Sequence, residues 1–156
     1  MAGSQWAIDR RKRIGRAIRT AREQAGLTAD VVAEIATGGG YPLTRDMVIN
    51  IELGRKKSID VCELLILAEA MGVPGLSLLF PDLVDTLVEV LPNTEKPSGD
   101  AALGFCGYLD DDGDMKTLFR LHDARRQFEF DPDEAARQML AMAKRLARKQ
   151  GWQVDG

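Results

Sequence analysis

The segment from residue 37 to residue 57, TGGGYPLTRDMVINIELGRKK, combines residue types that can bind phosphate groups. Three consecutive glycines can cradle the phosphate of a nucleotide, and a basic cluster can contact the phosphates of a nucleic acid. A Walker-type loop requires a strand before it and Gly-Lys-Ser or Gly-Lys-Thr at the start of the following helix. Here the preceding segment has a helical pattern and no lysine follows the glycines. The pattern therefore disfavours a nucleotide-using enzyme and favours a turn that delivers a helix to its target.

The residues able to ligate a metal or act as nucleophiles are few in this chain. Cys62 and Cys106 form no CxxC pair and His122 is the only histidine, which excludes a zinc finger. The acidic run DDDGD at residues 110–114 lacks the ligand spacing and the distal glutamate of a calcium loop. We therefore expect two small buried thiols, a structural or exposed histidine and a solvated acidic loop. No catalytic residue, metal or cofactor is predicted, and the protein is not expected to be an enzyme.

The formal net charge of −3 conceals an asymmetry between the two parts of the chain. Residues 1–57 carry eleven Lys and Arg against six Asp and Glu, whereas residues 58–156 carry ten against eighteen. A basic surface therefore belongs to the first third, and a polyanionic partner should bind there. With 45% apolar and 29% charged residues, the composition is that of a globular protein. Because no apolar run resembles a signal peptide or a membrane span, a cytoplasmic location is expected.

Hydrophobic periodicity predicts three short helices before Gly54. The first covers residues 8–24, and the second and third begin after the N-cap residues Thr28 and Thr44. Pro42 suits the turn between the second and third helices. The apolar positions expected to face inward are Ile14, Ala17, Ile18 and Ala21 in the first helix, Val31, Val32, Ile35 and Ala36 in the second, and Met47, Val48 and Ile51 in the third.

Two further helices are predicted before Pro81. The fourth is capped by Ser58 or Asp60 and ends at Gly72, and the fifth covers residues 74–80. The inward-facing positions of the fourth helix are Val61, Leu64, Leu65, Leu67 and Ala68. Five short helices with brief connections indicate a compact all-α domain over residues 1–81.

Residues 82–156 form a second predicted region, an acidic connector followed by a smaller, mainly helical C-terminal part. Residues 82–114 contain nine acidic residues and one lysine, and they include the linker-like PNTEKPSGD. Glycines at 104, 107 and 113 oppose a long helix there, whereas residues 133–150 form the clearest late helix. Apolar stripes at helical spacing comprise Leu83, Val84, Leu87, Val88 and Leu91 before the linker, and Met139, Met142, Ala143 and Leu146 near the end. Each stripe is either an interface with another chain or a surface packed against its own chain.

The order of motifs in the first half of the chain resembles one known family. The segments IGRAIRTAREQAGLTADVVAEIA, LTRDMVINIELGRKK and LLILAEAMGV followed by LSLLF resemble the helix-turn-helix domain of lambda-type phage repressors and the Xre superfamily. The resemblance covers about residues 8–81. It implies a five-helix lambda-repressor-like fold that binds double-stranded DNA.

The resemblance also implies roles for individual residues. Recognition helices of this class lie in the major groove with their N-terminal residues against base edges. The base-reading residues would be Thr44, Arg45, Asp46, Ile49 and Asn50. Arginine can pair with guanine and asparagine with adenine, a carboxylate can accept from cytosine, and Ile49 would meet a thymine methyl group. Asp46 would serve either as that acceptor or as a local partner that orients Arg45.

The same resemblance implies phosphate contacts around the recognition helix and one internal ion pair. The phosphate-binding residues would be Arg55, Lys56 and Lys57, for which the alternative is a solvated charge run. Tyr41 would be either an extra backbone contact or a packing cap, Thr28 would replace a missing phosphate anchor, and Arg19 and Arg16 are weaker candidates. Arg22 and Glu52 match positions whose ion pair ties the first helix to the end of the recognition helix. Two features depart from the family pattern. Ala29 stands where a phosphate-contacting glutamine usually opens the second helix, and TGGGYP lengthens a connection that usually has about four residues.

These features predict a sequence-specific transcriptional regulator, most simply a repressor of prophage or host promoters. One such domain reads few base pairs, so a homodimer on a palindromic operator is expected. The alternative is an antitoxin in which residues 82–156 bind a toxin or another partner while the N-terminal domain autoregulates. A toxin-like reading frame beside the gene would favour that alternative.

Overall fold

The computed structural model describes residues 2–82, 84–108, 114–149 and 151–154, which belong to two compact units, Met1–Ala102 and Leu103–Gly156. Over these residues the protein is mostly helical, with 66% helix in eight helices and one two-stranded hairpin. None of the described helices is long and apolar enough to cross a membrane. The helical content agrees with the predicted fold class, and the hairpin departs from it. Residues 110–113 of the acidic run, and Leu83, lie outside the described residues.

The elements follow one another in a simple order. The first unit contains α1 (Ala2–Gln24), α2 (Ala29–Gly38), α3 (Arg45–Glu52), α4 (Val61–Met71), α5 (Gly75–Leu79), β1 (Leu87–Leu91) and β2 (Thr94–Pro97). The division between the units falls within α6 (Ser98–Phe105), and the second unit contains α7 (Asp114–Phe130) and α8 (Glu134–Lys149). Residues 2–81 of the predicted first domain all lie within the first unit.

Side-chain caps determine where three helices of the first unit begin. The hydroxyl oxygens of Thr28 and Thr44 each accept a backbone N–H of the first helical turn, at 3.3 Å. Asp60, and not Ser58, caps α4, and its capping box with Glu63 satisfies backbone N–H groups at both positions. These caps supply partners for N–H groups that have none within the helix. They fix the starts of α2, α3 and α4 to the predicted residues.

An aliphatic core holds these helices together. Its most enclosed members, each at most 2% exposed, are Ile18, Val32, Ala36, Val48, Ile51, Leu67 and Leu78. The helices α1 and α3 approach most closely at Gly15, where an added Cβ would lie 2.5 Å from the carbonyl oxygen of Ile51 and 2.7 Å from that of Glu52. A glycine inside a helix costs about 1 kcal/mol relative to alanine. At Gly15 the absence of a side chain is what allows the two backbones to meet.

Several apolar positions that were predicted to face inward lie at the surface instead. These are Val31, Ile35, Met47, Val61 and Leu65, which are between 37% and 71% exposed. The prediction was wrong because each short helix turns only one narrow stripe toward the core, and neighbouring residues fill it. In α2, for example, Val32, Ala33 and Ala36 are buried. The exposure of Met47 matters for the site described below.

Residues 87–97 form a β-hairpin where the sequence predicted a helical stripe and a linker. The strands are antiparallel, with Val88 opposite Lys96, and the register shifts between Glu89 and Leu91. Asn93 in the connecting turn has φ 63°, a conformation that asparagine tolerates better than most residues. Of the predicted stripe, Val88 is buried at 1% exposure, whereas Val84, Leu87 and Leu91 are exposed. A local turn thus overrode the helical spacing.

The second unit centres on the pair α7 and α8, whose contact is made mainly of small residues. The buried apolar cluster in this pair contains Leu121, Ala124, Ala143 and Ala147, with Leu140 and Val154 packed against them. The predicted helix at residues 133–150 is present as α8, and the Asp133 carboxylate accepts the N–H of Ala136 at 2.7 Å near its start. The helix α7 was not anticipated from the sequence. Met139 and Met142, predicted on the apolar side of α8, are 54% and 66% exposed.

Candidate functional site

The turn between α2 and α3 is closed by its own hydrogen bonds. Gly38 ends α2, and the N–H groups of Gly39, Gly40 and Tyr41 donate to the carbonyls of residues 35, 37 and 36 at 2.9–3.0 Å. The Thr37 hydroxyl both donates to the Leu43 carbonyl and accepts the Leu43 N–H, each at 3.2 Å. Because these glycine N–H groups are used inside the turn, they do not form a cradle for phosphate. The glycines shape the turn. Gly40 has φ 89°, a conformation that glycine adopts without steric cost.

The turn delivers α3 with one side buried and the other exposed. Val48, Ile51 and Glu52 are buried, and the Thr44 cap fixes the first turn of the helix. The exposed side chains are those of Thr44, Arg45, Asp46, Met47 and Asn50. Four of the five predicted base-reading residues are therefore exposed to solvent, with Thr44, Arg45 and Asp46 at the start of α3 and Asn50 in its second turn.

Ile49 differs from the other four predicted base-reading residues. It is only partly exposed and packs against the core of the first unit. Met47, expected to be internal, instead lies at the surface and lines a groove of about 370 Å³ with Asn50, Arg55 and Lys56. The sequence analysis placed Met47 in the core and Ile49 at the surface, whereas in the structure Met47 is exposed and Ile49 packs against the core. A short helix with apolar residues at 47, 48, 49 and 51 offers no periodicity that distinguishes them.

Arg45 lies between two carboxylates. Its Nε is 3.5 Å from an oxygen of Asp30 at the start of α2, and its Nη1 is 3.3 Å from an oxygen of Asp46. The sequence left open whether Asp46 orients Arg45 or accepts a hydrogen bond from a base. In the structure Asp46 contacts Arg45, as the first of these roles requires. Asp30 was not anticipated. All three side chains are more than half exposed, so these pairs hold Arg45 only weakly and leave it able to change partners.

The basic cluster after α3 divides into two kinds of residue. Arg55 and Lys57 are exposed, and among the described residues their side chains have no ion pair or hydrogen bond. Lys56 is partly buried, and its Nζ donates to the carboxylate of Glu63, which is 1% exposed. A buried carboxylate needs such a partner, because an unpaired buried charge is costly. Lys56 thus has a structural partner that its place in a run of three cations did not indicate.

The remaining predicted phosphate-binding residues also have internal contacts. Thr28 caps α2, as described above. The Tyr41 hydroxyl donates to an oxygen of Asp60 at 3.3 Å, and desolvation followed by the Asp60 charge raises the pKa of Tyr41. Arg19 on α1 is exposed and pairs with Glu23 one turn away, with its Nε 2.8 Å from the carboxylate. Arg16 is exposed on the same helix.

The ion pair between Arg22 and Glu52 is present and well enclosed. Arg22 donates from Nε and Nη2 to the two carboxylate oxygens of Glu52, at 2.6 and 2.9 Å. Its Nη1 donates to the Leu27 carbonyl at 2.9 Å. The side chains of Arg22 and Glu52 are 13% and 2% exposed, and the hydrogen bond to Glu52 raises the pKa of Arg22. The pair fastens the end of α3 to α1, and the contact with the Leu27 carbonyl ties Arg22 to the connection between α1 and α2 as well.

No metal-binding group of histidine, cysteine and carboxylate side chains occurs among the described residues. His122 is exposed, with its Nδ1 3.6 Å from an oxygen of Asp123. The expectation that both cysteines are buried was wrong, since Cys62 is exposed and Cys106 is partly exposed. Cys62 follows Val61, the first residue of α4, whose side chain is also exposed.

Comparison of the chain with protein-family models, with curated proteins and with solved structures found no match.

Proposed function

We propose that the first unit is a sequence-specific, double-stranded DNA-binding domain of the helix-turn-helix class, similar to the lambda-type repressors. In this proposal α2 and α3 are the two helices of the motif, and α3 lies in the major groove. The protein would act as a transcriptional regulator, most simply as a repressor that occludes a promoter in a bacterium or a phage-infected cell.

One observation carries the proposal: side chains that can read bases are exposed along α3, from Arg45 in its first turn to Asn50 in its second, and exposed cations follow its end. Arg45 and Asn50 have the side-chain donors and acceptors that pair with guanine and adenine in the major groove. Arg55 and Lys57 lie beyond the end of α3 and can contact the phosphates that flank a groove. Recognition helices use this distribution, with base edges at the N-terminal end and backbone contacts around it.

The internal contacts of the first unit support the same role. Base reading requires a helix held in one orientation, since groups misplaced by about 1 Å lose their hydrogen bonds. α3 is fastened to α1 by the Arg22–Glu52 pair and by the close approach at Gly15. The exposed side chains of α3 are thus presented by a helix whose other side is held firmly against α1.

The structure changes two assignments within the proposal. Met47, with its exposed side chain beside Asn50, replaces Ile49 as the residue placed to meet a thymine methyl group. Phosphate contact is assigned to Arg55 and Lys57, because Lys56 is paired with a buried carboxylate. Arg19 and Thr28 are second-line candidates, since each already has a partner inside the protein.

For the second unit we propose self-association into a homodimer. A groove of about 470 Å³ on α7 and α8 is lined by Arg120, Asp123, Ala124, Met139, Met142, Ala143 and Leu146. Arg120 and Asp123 have opposite charges one helical turn apart, so a second copy related by a two-fold axis can place each arginine against an aspartate. The alanine-rich contact between α7 and α8 buries little apolar area by itself, and covering the two methionines would add to it. Dimerisation would also pair two recognition helices for a palindromic operator.

The same exposed groove favours one alternative, in which a toxin or another protein covers α7 and α8 and the first unit autoregulates. The two possibilities differ in what the purified protein does alone. A homodimer forms without any other chain, whereas an antitoxin groove remains exposed until its partner is added.

Binding measurements on variants test the proposed function. On a duplex obtained by selection from randomised DNA, Arg45→Ala and Asn50→Ala should each lose roughly 1–3 kcal/mol of discrimination at one base pair. Lys57→Ala should weaken binding to all sequences and reduce the slope of log affinity against log salt by about 0.9. Leu65→Ala, which alters an exposed apolar residue of α4, is the matched control and should change neither quantity. If the Arg45, Asn50 and Lys57 variants all behaved alike, α3 would not be the base-reading element.

A further inference from the structure

A continuous set of hydrogen bonds joins the two flanks of α3 to the start of α4. Before α3, the Tyr41 hydroxyl donates to Asp60 Oδ2 at 3.3 Å. Within the capping box, Asp60 Oδ1 accepts the Glu63 N–H at 2.8 Å, and the Asp60 N–H donates to Glu63 Oε2 at 3.1 Å. After α3, Lys56 Nζ donates to Glu63 Oε1. The four residues Tyr41, Asp60, Glu63 and Lys56 are called the α4 box below.

Burial explains why the α4 box is a firm connection. The Glu63 side chain is 1% exposed, and both of its carboxylate oxygens have partners inside the protein. Its location in the first turn of α4 places the negative charge where the helix dipole favours it. If Lys56 turned outward to a phosphate, Glu63 Oε1 would remain buried without its cation. The most stable arrangement therefore keeps Lys56 on Glu63.

Tyr41 and Lys56 flank α3 in the chain, so the α4 box holds both ends of that helix. Tyr41 lies in the long turn that leads into the Thr44 cap, and Lys56 lies in the segment that follows the end of α3. The Lys56 N–H also donates to the Asn50 carbonyl at 3.3 Å, as does the Arg55 N–H at 2.9 Å. Both flanks of α3 are thus held by one helix start, and the second flank is joined to Asn50 through the backbone.

We propose that the α4 box positions α3 for base reading, with Tyr41 and Lys56 as positioning residues and not as phosphate contacts. This inference rests on the proposed DNA-binding function. It accounts for the length of the TGGGYP turn, since the added residues carry a side chain that reaches α4. It also assigns different roles to three consecutive cations, because Arg55 and Lys57 remain exposed while Lys56 is held.

The test compares Lys56→Met with Lys57→Met in full-length protein, well below the unfolding temperature of either variant. Lys57→Met should reduce the salt slope by about 0.9 and leave the ratio of specific to non-specific affinity unchanged. Lys56→Met should leave the salt slope unchanged and lower that ratio by roughly tenfold, because α3 loses one of its ties. Tyr41→Phe, which removes only the hydroxyl, should lower the ratio in the same direction. A salt slope that falls equally in both lysine variants, or a ratio unchanged in Lys56→Met, would overturn the inference.

A double variant separates positioning from a general effect on folding. Lys56→Met should lower the thermal midpoint, since Glu63 loses its cation. Adding Glu63→Gln removes the buried charge and retains an oxygen for the Asp60 N–H, so the midpoint should recover most of the loss. The specific to non-specific ratio should stay low, because the tie between Lys56 and Glu63 is still absent. If the ratio recovered together with the midpoint, Lys56 would have only a structural role.

Amide hydrogen exchange tests the α4 box without DNA. In the double variant and in Tyr41→Phe, the amides of residues 48–52 should exchange roughly tenfold faster than in the wild type, whereas Lys57→Met should leave them unchanged. Unchanged exchange in both α4 box variants would overturn the inference, whatever the protein binds. A wild-type protein without sequence preference, but with the predicted exchange pattern, would refute the proposed function and retain the connection between α4 and α3.

Discussion

Replacing Gly15 with alanine should destabilise the first unit, although alanine is the better helix former. The intrinsic preference of a helix interior for alanine is about 1 kcal/mol. Against it, the new Cβ would lie 2.5 Å from the Ile51 carbonyl oxygen, whereas ordinary van der Waals contact begins near 3.4 Å. Both neighbours are backbone atoms of α3, so no side chain can rotate away and the two helices must separate.

The expected size follows from these opposing contributions. Overpacking a tight contact costs about 1–3 kcal/mol. Separation of α1 from α3 would also lengthen the hydrogen bonds between Arg22 and Glu52, which join the same two helices. Because both clashing atoms are backbone, the upper end of that range, about 3 kcal/mol, applies; after subtraction of about 1 kcal/mol for the helix preference, we expect Gly15→Ala to lower the free energy of unfolding by about 2 kcal/mol. With a urea dependence of about 2 kcal/mol per molar, the midpoint should fall by about 1 M.

Tryptophan fluorescence provides the assay. Trp6 lies in α1, and its indole N–H donates to the Glu89 carbonyl at 3.1 Å, so its emission reports on the first unit. A Trp152→Phe background removes the other tryptophan. Gly38→Ala is the matched control, because Gly38 also lies in a helix but a Cβ there would have no neighbour within 4 Å. Gly38→Ala should be neutral or stabilising by up to about 1 kcal/mol. If Gly15→Ala stabilised the protein as Gly38→Ala does, the proposed close approach of α1 and α3 would be refuted.

Two further predictions concern the internal ion pair and the second unit. Arg22→Met and Glu52→Leu should each destabilise the first unit by about 3–5 kcal/mol, because each leaves an enclosed charge unpaired, whereas the double variant should lose less than the two singles added together. A double-mutant cycle in urea measures this coupling energy. The exposed Arg19–Glu23 pair, treated in the same way, should show little coupling. Equal coupling in both pairs would contradict the conclusion that the Arg22–Glu52 pair is enclosed. Met142→Glu should convert the proposed homodimer to monomer in sedimentation equilibrium, whereas Leu65→Glu, an exposed change in the first unit, should not. A wild-type protein that is monomeric at all accessible concentrations would instead favour a different partner for α7 and α8.

Helix starts in the first unit were predictable because capping is a local property. Thr28, Thr44 and Asp60 each precede an apolar run, and each caps a helix in the structure. The exposed side chains at the start of α3 follow from the Thr44 cap, since the cap fixes the first turn. Glu63 was also accessible to sequence reasoning, because Asp60 and Glu63 have the spacing of a capping box. The contact between Glu63 and Lys56 could not be predicted, since nothing in a run of three cations shows which one turns inward.

The failures have a different physical origin. The helical spacing of Leu83 to Leu91 competes with a turn at residues 92–93, and antiparallel pairing prevails there. The burial of Met47 and the exposure of Ile49 were predicted wrongly because the eight residues of α3 form only about two turns, too few to define a hydrophobic period. The Gly15 contact depends on α3 lying against α1, which no local pattern encodes. A local turn decided the first of these three features, whereas packing of α3 against the rest of the first unit decided the other two.

The most direct test of the central claim is selection of bound duplexes from randomised DNA with the full-length protein. The proposed function predicts enrichment of one two-fold-symmetric site whose half-sites are centred about 34 Å apart, one helical turn of DNA. The same selection with Asn50→Ala should lose the preference at one position in each half-site and retain the rest. Absence of enrichment for the wild type, or an identical site for the variant, would contradict the assignment of α3 as the base-reading helix.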